Sequence, residues 1–269
     1  MLDLKKLKHE KENAYELIGK IMCGFMAVYI LVLLLILTFA ATIGVLILFL
    51  VLVAAVGIVF FLKWFFHNLF RANLYNNSLK LSEKQFPEIF KEVENGCKLL
   101  GIKDIPEVFV VNGNGVVNAF AYNFLSKKYV ILYSELVDTM LERGKHDELK
   151  MVISHELAHH ALGHTKFWKN YILEFGLRMI PGLSFAYSRA MELSADRVGM
   201  IITGNSESAK RGIVSTVIGS KALASHIDIK ELKEQEYCVD VLFGFLSKFF
   251  STHPTLVKRV IEMEKFANK

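Results

Sequence analysis

Proline and cysteine are both scarce in this chain, with 4 and 3 among 269 residues. So little proline, with 17 glycines, excludes collagen-like and linker-dominated designs. Cys23, Cys97 and Cys238 are too few and too widely spaced for a disulfide framework or a cysteine-rich zinc finger. A thiol-reducing compartment suits them best. The most informative absence is local. Between Ile21 and Leu62 there is no Asp, Glu, Lys, Arg or His. One helix over that run would be about 63 Å long, twice the hydrocarbon thickness of a bilayer. The run therefore predicts two membrane spans, roughly 21–40 and 44–63, turning near Thr38–Gly44, where small and hydroxyl residues gather. It is too long for the apolar stretch of a signal peptide, and no small-residue cleavage site leads into a polar start.

What charge there is flanks the run. Lys5, Lys6, Lys8, Lys11 and Lys20 precede it, Lys63, Arg71, Lys80 and Lys84 come after it, and the turn has none. The positive-inside rule then places both ends in the cytoplasm of a cell-membrane protein. Trp64, Phe65, Phe66 and His67 suit the headgroup layer. The expected organisation is a basic, solvated arm over 1–20, a transmembrane hairpin over 21–66 and a separate domain over 67–269. The net charge of +5 is modest, and no basic–aromatic cluster in the domain points to nucleic acid.

Beyond the hairpin the composition becomes that of an α+β domain. Residues 68–100 read as helical, with an interruption at Asn95-Gly96 and an end at Gly101. Val108–Val111, Val116–Phe124 and Tyr129–Leu132 read as strands. The chain after Gly144 reads mostly as helix. Phe167 to Ala190 is apolar enough to invite a further span, but Lys169, Glu174, Arg178, Pro181 and Arg189 within it predict helix, turn and helix inside the domain.

The sharpest motif is His155-Glu156-Leu157-Ala158-His159. On a helix, positions four apart lie about 40° apart around the axis, so both imidazoles can reach one Zn²⁺. Glu156 projects toward the same side and can accept a proton from a water on that ion. A catalytic zinc needs a third protein ligand. His164 would point about 140° away in a continuous helix, and His160 faces away from the pair. Glu192 is the best candidate, because Asp196 shares its helix face. One carboxylate can bind the metal while the other accepts the free ring N–H of a histidine ligand. His253, held extended before Pro254, can reach a zinc, hydrogen-bond a tetrahedral intermediate, or merely cap the final helix.

Four segments occur in order: Asn118-Ala119-Phe120-Ala121; His155–His159 with Gly163-His164; Glu192-Leu193-Ser194-Ala195-Asp196; and Thr252-His253-Pro254 with Arg259. Together they resemble the HtpX-like and CAAX-prenyl-protease-like family of membrane zinc metallopeptidases, of the gluzincin type. The resemblance implies an α+β protein in which the transmembrane helical hairpin precedes a mostly helical, zincin-type domain with a small β-sheet. It implies one Zn²⁺ per chain on His155, His159 and Glu192. Glu156 would be the general base, and His253 a donor near the metal. Asp196 would support a histidine ligand, and Arg259 would tie the His253 loop to the site. Asn118, Ala119 and Phe120 would lie on an edge strand that binds substrate backbone. The partners implied are protein or peptide substrates and the lipid bilayer; oligomeric state stays open. The implied activity is endopeptidase cleavage in membrane protein quality control. A processing peptidase for one dedicated substrate and a catalytically silent zinc-containing scaffold stand as alternatives. HtpX-like members carry further spans between the zinc helix and the glutamate helix. Here only 27 residues separate His164 from Glu192, so the chain reads as a shorter, two-span member. The many-span chamber of CAAX prenyl proteases is absent, which weakens a prenylated substrate.

Overall fold

The computed structural model describes residues 2–40, 42–124, 127–141, 146–166, 168–219, 223, 226–249 and 251–268. Ala41 in the expected turn and Phe167 lie outside them. A short helix, α1 (Leu4–Leu7), leads into two long ones, α2 (Glu10–Ala40) and α3 (Thr42–Asn77). Both are long and apolar enough to cross a membrane, and their apolar stretches are not buried. Leu35, Phe49 and Phe61 are each about 60% exposed. Apolar surface on that scale requires lipid around it, and a helix satisfies its own backbone there. The chain is a membrane protein with a helical hairpin at its N-terminal end.

Both helices outrun the expected spans. α3 continues past Leu62 to Asn77 without a break. Its last turns pack on the sheet of the domain after it, where His67 stacks on Phe124 with ring centroids 4.0 Å apart. The arm before the hairpin is folded in rather than solvated. Leu7 is buried in the main core, with Leu2 and Leu4 packed against it. The His9 amide donates to Ser194 Oγ at 2.9 Å, and Arg197 Nη1 donates to the Lys8 carbonyl at 3.1 Å. Three leucines in a lysine-rich stretch gain more by burial than by staying in water.

The expected helix over 68–100 is split. After α3 come a two-residue strand β1 (Leu79–Lys80) and a tight turn, and only then α4 (Pro87–Leu100). Pro87 marks the boundary, because proline fits the first position of a helix and the residue before it avoids the right-handed helical region; Phe86 there takes φ 59°. Strands β2 (Glu107–Val111), β3 (Ala119–Phe124) and β4 (Lys127–Tyr133) complete a mixed sheet in the order β1-β2-β4-β3. β2 runs parallel to β4, pairing Phe109 with Ile131, while β3 runs antiparallel, pairing Ala121 with Val130. β3 is therefore an edge. It starts at Ala119, so Val116–Asn118 lead into it as loop.

The rest of the domain is helical: α5 (Ser134–Leu141), α6 (His146–Ala161), α7 (Glu174–Leu177), α8 (Leu183–Thr203), α9 (Ser206–Ile218), α10 (Ile229–Glu234), α11 (Val241–Phe249) and α12 (Leu256–Ala267). A π-helical turn, Trp168–Leu173, precedes α7. α6 is the central helix. Val152, Ile153 and Leu157 join one buried cluster with Val130 and Leu132 of the sheet, Val93 of α4 and Val198 of α8. α9 can approach α6 because residue 212 is glycine: a Cβ there would sit 2.9 Å from the Glu148 carbonyl oxygen. His160, which faces away from the pair, is buried. Its Nε2 donates to the Tyr129 carbonyl at 2.9 Å and fastens α6 to β4.

Candidate metal centre

α6 and α8 cross at the sequence motifs. His155 Nε2 and His159 Nε2 are 3.2 Å apart. Glu192 Oε2 is 3.5 Å from His155 Nε2, and Glu192 Oε1 is 3.4 Å from His159 Nε2. A tetrahedral zinc with bonds of about 2.0–2.1 Å has ligand–ligand edges of about 3.3 Å. The three distances are near that edge, with a different Glu192 oxygen facing each ring, and the three residues are a group that could hold a metal ion.

Charged groups are closely coupled at the site. Burial disfavours charge on His155, but the Asp196 and Glu192 carboxylates beside it outweigh that and push its pKa up to about 10. Burial would raise Glu192, yet hydrogen bonds from His155 and His253 hold it well below the usual carboxylate range. Glu156 goes the other way. Burial and the nearby Glu192 push it up to about 7 against the pull of His155 and Arg259. Asp196 Oδ1 faces His155 Nδ1 at 3.0 Å, so when the ring gives up one proton to bind a metal, the remaining proton is held on Nδ1 and Nε2 is the ligand atom. Arg259 grips Asp196 with two bonds, Nε to Oδ2 at 2.8 Å and Nη2 to Oδ1 at 2.5 Å.

His159 is oriented from an unexpected direction. α6 ends at Ala161, and Gly163 takes φ 72°. That turn swings His164 back instead of letting it point away as it would in a continuous helix. His164 Nδ1 lies 3.0 Å from His159 Nδ1, and His164 Nε2 lies 3.0 Å from Glu12 Oε1. Burial lowers the His164 pKa, so the ring is neutral. With its proton on Nε2 donated to Glu12, its Nδ1 accepts the proton of His159 Nδ1. Glu12 is fully buried, and its other oxygen accepts from Ser194 Oγ. A carboxylate on the membrane helix is therefore linked through one imidazole to His159. Sequence reasoning missed Glu12. The available signal was a carboxylate four residues before Glu16, in an arm otherwise read for its lysines.

The three donors open on a cleft of about 680 Å³. Asn118, Ala119, Phe120 and Ala121 line one side. The Ala121 backbone amide donates to Glu156, which fixes the carboxylate beside the edge strand. His253 enters from the loop before α12. Its Nδ1 is 3.1 Å from Glu192 Oε2, and its side chain is 67% exposed at the cleft. It contacts a candidate ligand and is not one of the three grouped residues. Arg259 lies beneath, 3.9 Å from Glu192 Oε2.

A mostly helical chain with a membrane hairpin and a His-His-Glu centre on crossed helices describes a membrane metallopeptidase. Residues 83–179 and 168–267 match Peptidase family M48, and the chain belongs to that family. It is 26% identical over 258 residues to a protease HtpX homolog of Thermodesulfovibrio yellowstonii, covering 81% of this chain and 88% of that protein. It is 31% identical over 100 residues to a CAAX prenyl protease 1 homolog of Arabidopsis thaliana, covering 36% of this chain and 22% of that protein. Among solved structures, S. mikatae Ste24p aligns with a TM-score of 0.48 at 18% identity, over 95% of this chain and 66% of that one.

Proposed function

We propose that this chain is a zinc-dependent endopeptidase that cleaves exposed segments of membrane or membrane-proximal proteins at the cytoplasmic face, in a quality-control role. The observation that carries this reading is the convergence of His155, His159 and Glu192 at metal-ligand spacing, with a buried carboxyl, Glu156, beside it. The similarity to a protease HtpX homolog spans most of both chains, which favours a general protease over a prenyl-processing enzyme. The lysines on either side of the hairpin favour the cytoplasmic orientation.

Zinc, when bound on His155, His159 and Glu192, supplies the Lewis acidity that polarises a scissile carbonyl and acidifies water. Glu156 accepts the proton of the attacking water at its carboxylate and returns it to the leaving amine. Asp196 holds the His155 tautomer, and Arg259 holds Asp196. His253 donates a hydrogen bond to the oxygen on which negative charge develops. The free edge of β3 pairs with substrate backbone, so recognition is by strand addition and tolerates many side chains. The domain that does this is 67–269, completed by the arm and by the cytoplasmic turns of α2.

The test is cleavage of casein or a peptide by detergent-purified protein, with zinc quantified, against Glu156→Gln. The variant is expected to keep about one zinc per chain and to lose at least a hundredfold in rate. Zinc in both proteins with cleavage by neither would favour the silent scaffold. Zinc in neither would overturn the reading. A cleavage profile confined to one sequence would mark a dedicated processing enzyme.

A further inference from the structure

A second cavity, of about 520 Å³, lies on the other side of Pro254 from the metal-binding cleft. Six cationic residues line it: Lys11 on α2, Arg189 and Arg197 on α8, Lys248 on α11, and Lys258 and Lys265 on α12. The carboxylate among its lining residues is Glu262. Six cations against one carboxylate make the lining strongly basic. Glu262 is already engaged by Lys258 at 3.0 Å and Lys265 at 3.3 Å. So much concentrated positive charge recruits an anion.

The position of the cavity indicates which anion. Lys11 and Tyr15 are four residues apart on α2, so they share a face. Tyr15 lies six residues before Ile21, where the charge-free run begins, or about 9 Å along the helix, just outside a headgroup layer that extends roughly 5–8 Å beyond the hydrocarbon. A flexible lysine or tyrosine side chain spans the remaining distance to a headgroup phosphate. The opposite wall ends in α11, whose Val241, Leu242, Phe243 and Phe245 are 59–89% exposed. An apolar helix face of this kind, beside basic residues, lies at a lipid surface. Basic pockets at the cytoplasmic side of membrane helices take anionic lipid headgroups.

We propose that this cavity binds the phosphate headgroup of an anionic phospholipid from the surrounding bilayer. The lysines and arginines neutralise the phosphate, and the Tyr15 hydroxyl donates to a phosphate oxygen. The acyl chains leave toward α2 and α11. Arg189 Nη1 also holds the Lys248 and Ser251 carbonyls, at 2.8 Å and 2.7 Å. A headgroup seated there therefore rests against the segment that carries His253.

The test uses the full-length protein, delipidated in a neutral detergent and titrated with phosphatidylglycerol, phosphatidylcholine or inorganic pyrophosphate, with retention read by native mass spectrometry. The informative variant is Lys11→Gln/Lys258→Gln/Lys265→Gln. Its control is Lys91→Gln/Lys98→Gln/Lys103→Gln, which removes the same charge from exposed positions on and just after α4. Zinc content reports folding in every sample. Wild type and control are expected to retain phosphatidylglycerol at least tenfold better than phosphatidylcholine, and the cavity variant is expected to lose at least tenfold in that affinity. Equal binding by the cavity variant, or an equal loss in the control, overturns the site. Pyrophosphate that binds as tightly as phosphatidylglycerol and displaces it overturns the lipid as occupant.

Discussion

Glu12 sits on the membrane helix, but its partners are His164 beyond α6, Ser194 on α8 and Lys169. Through His164 it sets the tautomer of His159, as outer carboxylates do in metal–histidine centres. Glu12→Gln is expected to weaken zinc binding 10- to 100-fold, measured by competition with a chromophoric chelator. Glu12→Ala also strands two buried polar partners and is expected to cost about 1–3 kcal/mol of stability. Unchanged zinc affinity in both variants would refute the link. Cys97 offers a separate check on burial. Its surroundings push the thiol up to about 12, against about 8.5 for a free cysteine. At pH 8 it therefore stays protonated, and a charged maleimide is expected to modify exposed Cys238 and leave Cys97 unlabelled. Rapid labelling of Cys97 in the native protein would contradict this. These residues also mark the limits of sequence reading. His155, Glu156 and His159 stand out because a helix converts a spacing of four into a shared face. Glu192 and Asp196 stand out for the same reason. Glu12 does not, because its contacts span 152 and 182 residues and no local period encodes them. His164 points away from the site only if the helix is continuous, and Gly163 ends that helix.

Among the elements, the long apolar hairpin was legible from its lack of charge, and β2 and β4 from their β-branched runs. The division of 68–100 was missed although Pro87 announced it. The close approach of α9 to α6 was invisible, because a glycine in a helix gives no hint of what it faces. Gly212→Val places atoms against the Glu148 backbone, where Cα as well as the carbonyl oxygen lies within 3.3 Å of the new Cβ. That variant is expected to lose about 1–3 kcal/mol by overpacking, read as a lower midpoint in thermal or denaturant unfolding. An unchanged midpoint would mean that α9 is free to move away from α6.

For the whole molecule, arm, hairpin and domain pack on one another. Leu7 belongs to the main core, Glu12 is fully buried, and Gly19 lies against Leu173 and Leu177. A fragment starting at residue 67 would lack these groups. It is expected to be poorly folded and to bind zinc weakly, whereas the full chain in detergent is expected to hold one ion. Circular dichroism and zinc stoichiometry on the two proteins decide this, and a stable, zinc-loaded fragment would show that the arm is dispensable.

The stacking of His67 on Phe124 sets a length. His67 is five residues past the end of the charge-free run, about 7 Å along α3, so the Phe124 end of β3 stands near the headgroups. From Phe124 to Ala121, beside Glu156, is about 10 Å of strand. A polypeptide emerging from the bilayer and laid along that strand would present its first accessible bond only a handful of residues from its own membrane exit. Cut sites mapped on membrane substrates should therefore cluster within about ten residues of a span, and long cytosolic tails should be shortened to stubs rather than nicked at their tips.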